Sequence, residues 1–301
     1  MAQNQTDAQK TVAATVNIQK PKEPRFDLAR ETSWLREEML KTGKIAKEKL
    51  GRETKLHQKH LDRIYEPLRR QIGASPESEE LTRESHEYVM AATQDLAELD
   101  IEQRMRNMIG NERRASLSPR VGSCVPAFAP YPSSYQDPSA IGGFGLVSHL
   151  DASIGQMGGF LTTYPIGGDV WLATGVGEWV YSGANSGTAS VRVDTSVWGR
   201  CAEEAIGGYW RNMVKIHVRT WDADGQLYDA QQTIHDNWEV IGLSIRDFNG
   251  DSFSPTMFVP IQAYRWYLIW AWAEQYTAST PINAGGGSNL WIYASRLEIC
   301  V

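Results

Sequence analysis

Cysteine is scarce in this chain: Cys124, Cys201 and Cys300 are the three in 301 residues. They are odd in number and far apart, which predicts neither a disulfide framework nor a Cys-x-x-Cys zinc or redox site, so they read as buried or incidental thiols. No secretory leader is predicted either. The start, "MAQNQTDAQKTVAATVNIQKPKEP", has no basic opening and no apolar run of about 7–15 residues. The expected locations are the cytoplasm, a particle assembled inside the cell, or the outside by a signal-independent route. No stretch approaches the roughly 20 apolar residues of a spanning helix, so no transmembrane segment is predicted.

Excess positive charge is absent too. A net charge of −6 argues against general affinity for phosphate backbones, and nucleic acid is not an expected partner. Catalytic signatures are missing as well: there is no Gly-x-Ser-x-Gly, P-loop, Rossmann fingerprint or zinc-protease histidine pair. His57 and His60 stand among Lys55 and Lys59 on what reads as a solvated face. No catalytic residue, metal ligand or cofactor is therefore assigned, and the chain is not read as an enzyme.

What is present is unevenly distributed. Tryptophan numbers 11, and all but Trp34 follow residue 170. Residues 1–25 are polar and read as a flexible arm. From Asp27, apolar residues recur at helical intervals: Leu28, Leu35, Met39, then Leu61, Ile64, Leu68 and Ile72. "GASPESEE" then closes one helix at Gly73 and opens another, with Ser75 as cap and Pro76 in the first turn. Residues 26–114 are thus expected to form a helical hairpin or coiled-coil-like region. Its stripes are thin, so an identical copy is the expected cover and the chain an expected homo-oligomer. Pro119, Pro126, Pro130, Pro132 and Pro138 mark residues 115–145 as a proline-rich linker, whose interleaved Val125, Phe128, Tyr131 and Tyr135 suit packing on a surface.

Beyond residue 146 the pattern has period two. "WRNMVKIHVRTW" sets Val214, Ile216 and Val218 against Lys215, His217 and Arg219; "DADG" and "DFNGD" read as turns; and "LWIYASRLEICV" puts Trp291, Tyr293, Leu297, Ile299 and Val301 on one side. Roughly eight to ten such strands predict an antiparallel β-sandwich of jelly-roll type over residues 146–301. The fold class expected for the whole is α+β and multidomain.

One stretch concentrates the aromatics: "YRWYLIWAWAE", residues 264–274. Arg265 and Glu274 bracket too few residues to cross a bilayer. Read as a strand, Tyr264, Trp266, Leu268, Trp270 and Trp272 share one face and smaller residues the other, the pattern of a central strand covered on both sides.

Sugar-binding sandwiches use accessible rings because a pyranose has an apolar face, with nearby amides and carboxylates holding its hydroxyls. Trp198, Trp221 and Trp238, beside Asp236 and Asn237, have that composition and are the candidate ligand-binding residues. The layout, helices before a sandwich, is one shared by phage and virion fibre or capsid-associated proteins, adhesins and some toxins. The functional expectation is a non-enzymatic assembly or interaction protein whose sandwich presents a surface to a protein or glycan partner. A toxin-like protein acting at a membrane and a glycan-active enzyme on a jelly roll are the alternatives.

Overall fold

A computed structural model describes residues 124–141, 145–163, 168–182, 184–222, 226–279 and 284–301, with isolated positions between 44 and 87. Ten strands follow one another: β1 (Cys124–Ala127), β2 (Ser133–Ile141), β3 (Leu146–Ser148), β4 (Gln156–Thr162), β5 (Gly168–Tyr181), β6 (Gly187–Trp221), β7 (Leu227–Phe253), β8 (Thr256–Ile261), β9 (Trp266–Ser279) and β10 (Ala284–Cys300). All pairings are antiparallel.

Two sheets are laid out by two long strands that belong to both. The front sheet runs from the later half of β7 through the earlier half of β6 to β10, β4 and β3, with β8 continuing beside β6 and β1 beside β10. The back sheet runs from the earlier half of β7 through the later half of β6 to β9, β5 and β2. β6 changes partner from β10 to β9 across a register break between Ile206 and Trp210. Two glycines, Gly207 and Gly208, lie in that break, where a strand must bend between sheets.

Alternation places the core. β8 shows it plainly: Met257, Val259 and Ile261 are buried and the residues between them exposed. Between the sheets, Val191, Val193 and Val197 of β6 and Leu290, Ile292 and Ala294 of β10 meet Val214, Ile216 and Val218 of β6 and Tyr267, Ile269, Ala271 and Ala273 of β9. The "YRWYLIWAWAE" run is therefore a central strand, flanked by β5 and β6, with its smaller side chains toward the inter-sheet core. Its rings face the other way and are buried as well: Trp270 is 3% and Trp272 0% exposed. They lie flat because β5 puts Gly175 and Gly177 opposite them, and a Cβ at either glycine would meet an indole carbon at 2.6–2.7 Å.

The expected α+β architecture is corrected here: the described elements are all strands, and the helical hairpin or coiled-coil-like region over 26–114 is not supported. The stripe residues Leu28, Leu35, Met39, Leu61, Ile64, Leu68 and Ile72 lie outside the described residues. Where apolar side chains are described in that stretch, Ile45 and Leu56, they are 57% and 69% exposed. Helical spacing specifies a paired hairpin only when burial of the stripe offsets chain entropy, and those two side chains supply no burial.

The proline-rich stretch carries β1 and β2, and Ala129 and Tyr131 belong to the core. Pro138 is tolerated because β2 is an edge strand, where a missing N–H breaks no ladder. β1 pairs with the end of β10 so that Cys124 faces Cys300, and the two form a disulfide, which corrects their reading as incidental thiols. Cys201 remains free and buried. "DFNGD" is likewise no turn: β7 runs through it, with Asp247 paired to Arg200 and Asp251 to Arg246.

Candidate functional site: an aromatic shelf on the front sheet

The outer face of the front sheet carries a cluster of rings that are only partly buried. Register sets Trp198 of β6 opposite Trp291 of β10, and Trp291 opposite Gly158 of β4. His149 stands beside the indole at this point of the sheet. Its backbone N–H donates to Gly158 O, and its ring stacks on Trp291 at 4.6 Å between centroids and 5° between planes. Trp198 and Trp291 pack from outside on Ile154 and Tyr293, which are buried. Gly250, in the left-handed region at φ 88°, lets β7 pass beneath Trp198, whose ring a Cβ there would meet at 2.7 Å.

Polar groups surround this shelf and are fixed by one another. His149 Nε2 lies 2.8 Å from Asn289 Oδ1, and Tyr293 Oη donates to Gln156 Oε1 at 3.0 Å. Gln156 Nε2 in turn donates to the carbonyl of His149. Arg200, opposite Asn289 in the register, grips Asp247 through two N–H groups. Burial pushes the His149 pKa down, and the Asn289 contact only partly offsets this, so at neutral pH a neutral imidazole covers Trp291. Asn289 Oδ1 accepts from Nε2, which leaves Nδ1 as an acceptor. The shelf thus combines flat apolar faces with donors and acceptors held in place, the chemistry a sugar ring requires.

The sequence candidates are dispersed. Trp198 sits on the shelf. Trp221 is buried on the back sheet at 1% exposure, while Trp238 on β7 is 46% exposed. Asp236 accepts a two-pronged contact from Arg211, and Asn237 points its amide at Glu203 Oε2. The residues that complete the shelf, His149, Gln156, Asn289 and Trp291, carry no pattern in the sequence that marks them as ligand groups. Strict alternation groups Trp291 with Leu297 and Ile299, but the β10–β6 register slips between Ala294 and Arg296. That bulge turns Leu297 and Ile299 into the inter-sheet core and leaves Trp291 and the buried Tyr293 on the sheet's other face. In the sequence only the small Ser295, between two well-patterned halves, stands at the slip.

A second cluster lies on the outer side of the back sheet. Glu274 of β9 accepts from Arg219 at 3.0 Å and from Trp272 Nε1 at 3.1 Å, and its other oxygen lies 3.2 Å from His217 Nε2. Asp229 of β7 contacts His217 Nδ1 at 3.0 Å and Arg219 at 3.3 Å. Arg219 lies over the Trp272 ring, which stacks with Tyr135. Burial alone would raise the Glu274 pKa, but His217 and Arg219 overcome it and hold it at about 2. Asp229 is lowered against its own burial by the same two partners. Burial would lower His217, yet the two carboxylates raise it. Both carboxylates therefore stay ionised at neutral pH, and neither can serve as the protonated acid that glycoside cleavage needs.

The signs of these shifts predict a pH dependence. His217 keeps its proton to higher pH in the folded state, so its stabilisation is complete below its ordinary value of 6.5 and is lost as pH rises through the raised one. Glu274 runs oppositely: its contribution is present above 4.5 and lost as pH falls through about 2. In urea melts, wild type should exceed His217→Asn most clearly at about pH 5–6, with the gap closing toward alkaline pH. A gap that widens with pH would show that folded His217 is neutral.

Among the described residues no helix is long and apolar enough to cross a membrane. No family model matches the chain, and no curated protein does. Weak structural neighbours include the carbohydrate-binding module TmCBM61, solved with β-1,4-galactotriose, at 8% identity over 55% of this chain and 90% of that one, with a TM-score of 0.21. The CBM22-1 xylan-binding domain of Paenibacillus barcinonensis Xyn10C is another, at 13% identity over 58% and 97%, with a TM-score of 0.18. A third is the enzymatically active domain of bacteriophage CBA120 tailspike protein 4, at 11% identity over 55% of this chain and 19% of that one, with a TM-score of 0.20. Scores this low do not argue a shared fold, so the functional reading rests on the residues.

Proposed function

We propose that the β-sandwich is a glycan-binding module and that the protein acts by contact, without turning its ligand over. The observation that carries this is the partly exposed Trp291–His149 stack beside Trp198, edged by Asn289 and the Arg200–Asp247 pair. A pyranose laid on such a shelf buries its apolar face, while its hydroxyls meet groups already oriented, so little ordering entropy opposes binding. The Cys124–Cys300 disulfide supports a protein that works in oxidising surroundings, where extracellular polysaccharide is found. Self-association rested on the helical hairpin and has lost that support.

The test is glycan-array screening followed by affinity electrophoresis against the polysaccharides retained. Trp291→Ala and Trp198→Ala should each weaken binding about 10–100-fold, the effect of removing roughly 1.5–3 kcal/mol of ring burial, with melting little changed. Trp238→Ala, whose ring lies elsewhere, should bind like wild type. Retention of full affinity by both shelf variants, or the absence of any retained glycan, would sink the reading.

A further inference from the structure

The front-to-back bend of β6 encloses a polar group of residues at one end of an otherwise apolar core. Cys201 and Glu203 of β6 and His235 of β7 each offer one ligand atom, and these atoms lie within 4.8 Å of one another. All three side chains are buried: Glu203 and Cys201 are 0% exposed and His235 is 9% exposed. The neighbourhood is built around them. Glu203 Oε1 accepts from His235 Nε2 at 2.8 Å and from Asn212 Nδ2 at 3.2 Å, and Oε2 accepts from Asn237. Asn212 Nδ2 also donates to Gly287 O. Both contacts of that nitrogen are to acceptors, which fixes the amide orientation and leaves Asn212 Oδ1 buried with no donor. An acceptor orphaned at full burial is costly and asks for a cation or a donor beside it.

We infer that Cys201, Glu203 and His235 form a binding site for a single zinc-class divalent transition-metal ion. The donor set suits this class: a soft thiolate and an imidazole select such ions over calcium or magnesium, and the carboxylate supplies the third ligand. The spacing suits it too. Metal–ligand lengths of about 2.0–2.3 Å place tetrahedral donor atoms roughly 3.3–3.8 Å apart, so the His235–Glu203 contact opens by about half an ångström while the trio closes from its outer limit.

Charge balances. On binding, the Cys201 thiol loses one proton to solvent, and the dication is neutralised by one thiolate and one carboxylate, leaving a buried centre with no net charge. His235 gives up its Nε2–H contact to Glu203, and the ring proton moves to Nδ1, so Nε2 ligates. A dication deprotonates a coordinating thiol outright. The Asn212 amide oxygen, or a water beside it, supplies the remaining contact. No spacing rule links this group in the sequence, because His235 follows Cys201 by 34 positions.

The experiment uses the full chain with its disulfide intact, stripped with EDTA and titrated with Co²⁺ alone, then Zn²⁺ alone. Expected are a thiolate-to-Co²⁺ charge-transfer band saturating at one equivalent, its loss when Zn²⁺ displaces Co²⁺, release of one proton per ion, and a rise in melting temperature. Cys201→Ser should abolish the band, and His235→Gln should weaken binding at least tenfold. Should either variant fail to fold, the wild-type stoichiometry, proton release and band decide alone. Absence of a thiolate band with no melting shift at micromolar Co²⁺ or Zn²⁺, or a band that survives in Cys201→Ser, overturns the inference.

Discussion

Glu274→Ala should lower the stability of the sandwich by about 3–5 kcal/mol, the cost of breaking a buried ion network by removing one member. Glu274 is 3% exposed and is the point where three contacts converge: Arg219, Trp272 Nε1 and His217. Without it, Arg219 and His217, themselves 3% and 2% exposed, share only Asp229. The indole N–H of Trp272 would also lose its acceptor at full burial. Glu274→Gln separates charge from shape, since an amide oxygen can still accept from Trp272. It should fall between wild type and alanine. Urea unfolding measures both, and an alanine variant within about 1 kcal/mol of wild type would place this network among those worth little.

Opening the Cys124–Cys300 disulfide should have an effect as large. It closes a sequence separation of 176 residues, for which the chain-entropy account gives about 5 kcal/mol, an upper value because the reduced chain retains some structure. The loop contains all ten strands, so its closure restricts the entire unfolded sandwich. Guanidinium unfolding of the Cys124→Ser/Cys300→Ser double variant should show a lower midpoint. β1 contributes four paired residues and Tyr131 anchors the next turn, so the native fold should survive. An unchanged midpoint would mean that the unfolded chain gains little from release.

Local pattern revealed the sandwich but not its joints. Val214, Ile216 and Val218 alternate with Lys215, His217 and Arg219, and the first set does line the inter-sheet core. The second set is not wet: His217 and Arg219 are buried on the opposite face beside Trp272. Alternation reports that two faces differ, while what covers each is a property of the neighbours. Leu243 and Ile245 alternate as a buried face would, yet they are 56% and 38% exposed on the outer part of β7. β7 lies at the edge of the front sheet there, and Phe248, on its other face, reaches the core.

The sequence by itself determined the β-character of residues from 146 onward, the central place of the "YRWYLIWAWAE" run and the ring chemistry available for a ligand. Those are local properties: side-chain period, apolar density and residue type act over a few neighbouring positions. Tertiary structure alone decided which rings became accessible, because a one-residue slip at Ser295 sends Trp291 outward and Leu297 inward. It alone paired Cys124 with Cys300 and brought Cys201, Glu203 and His235 together. Each of those contacts joins residues whose separation in sequence carries no periodic signal. Strand order and the bend of β6 bring them into reach, and both are set by burying one whole sheet against the other.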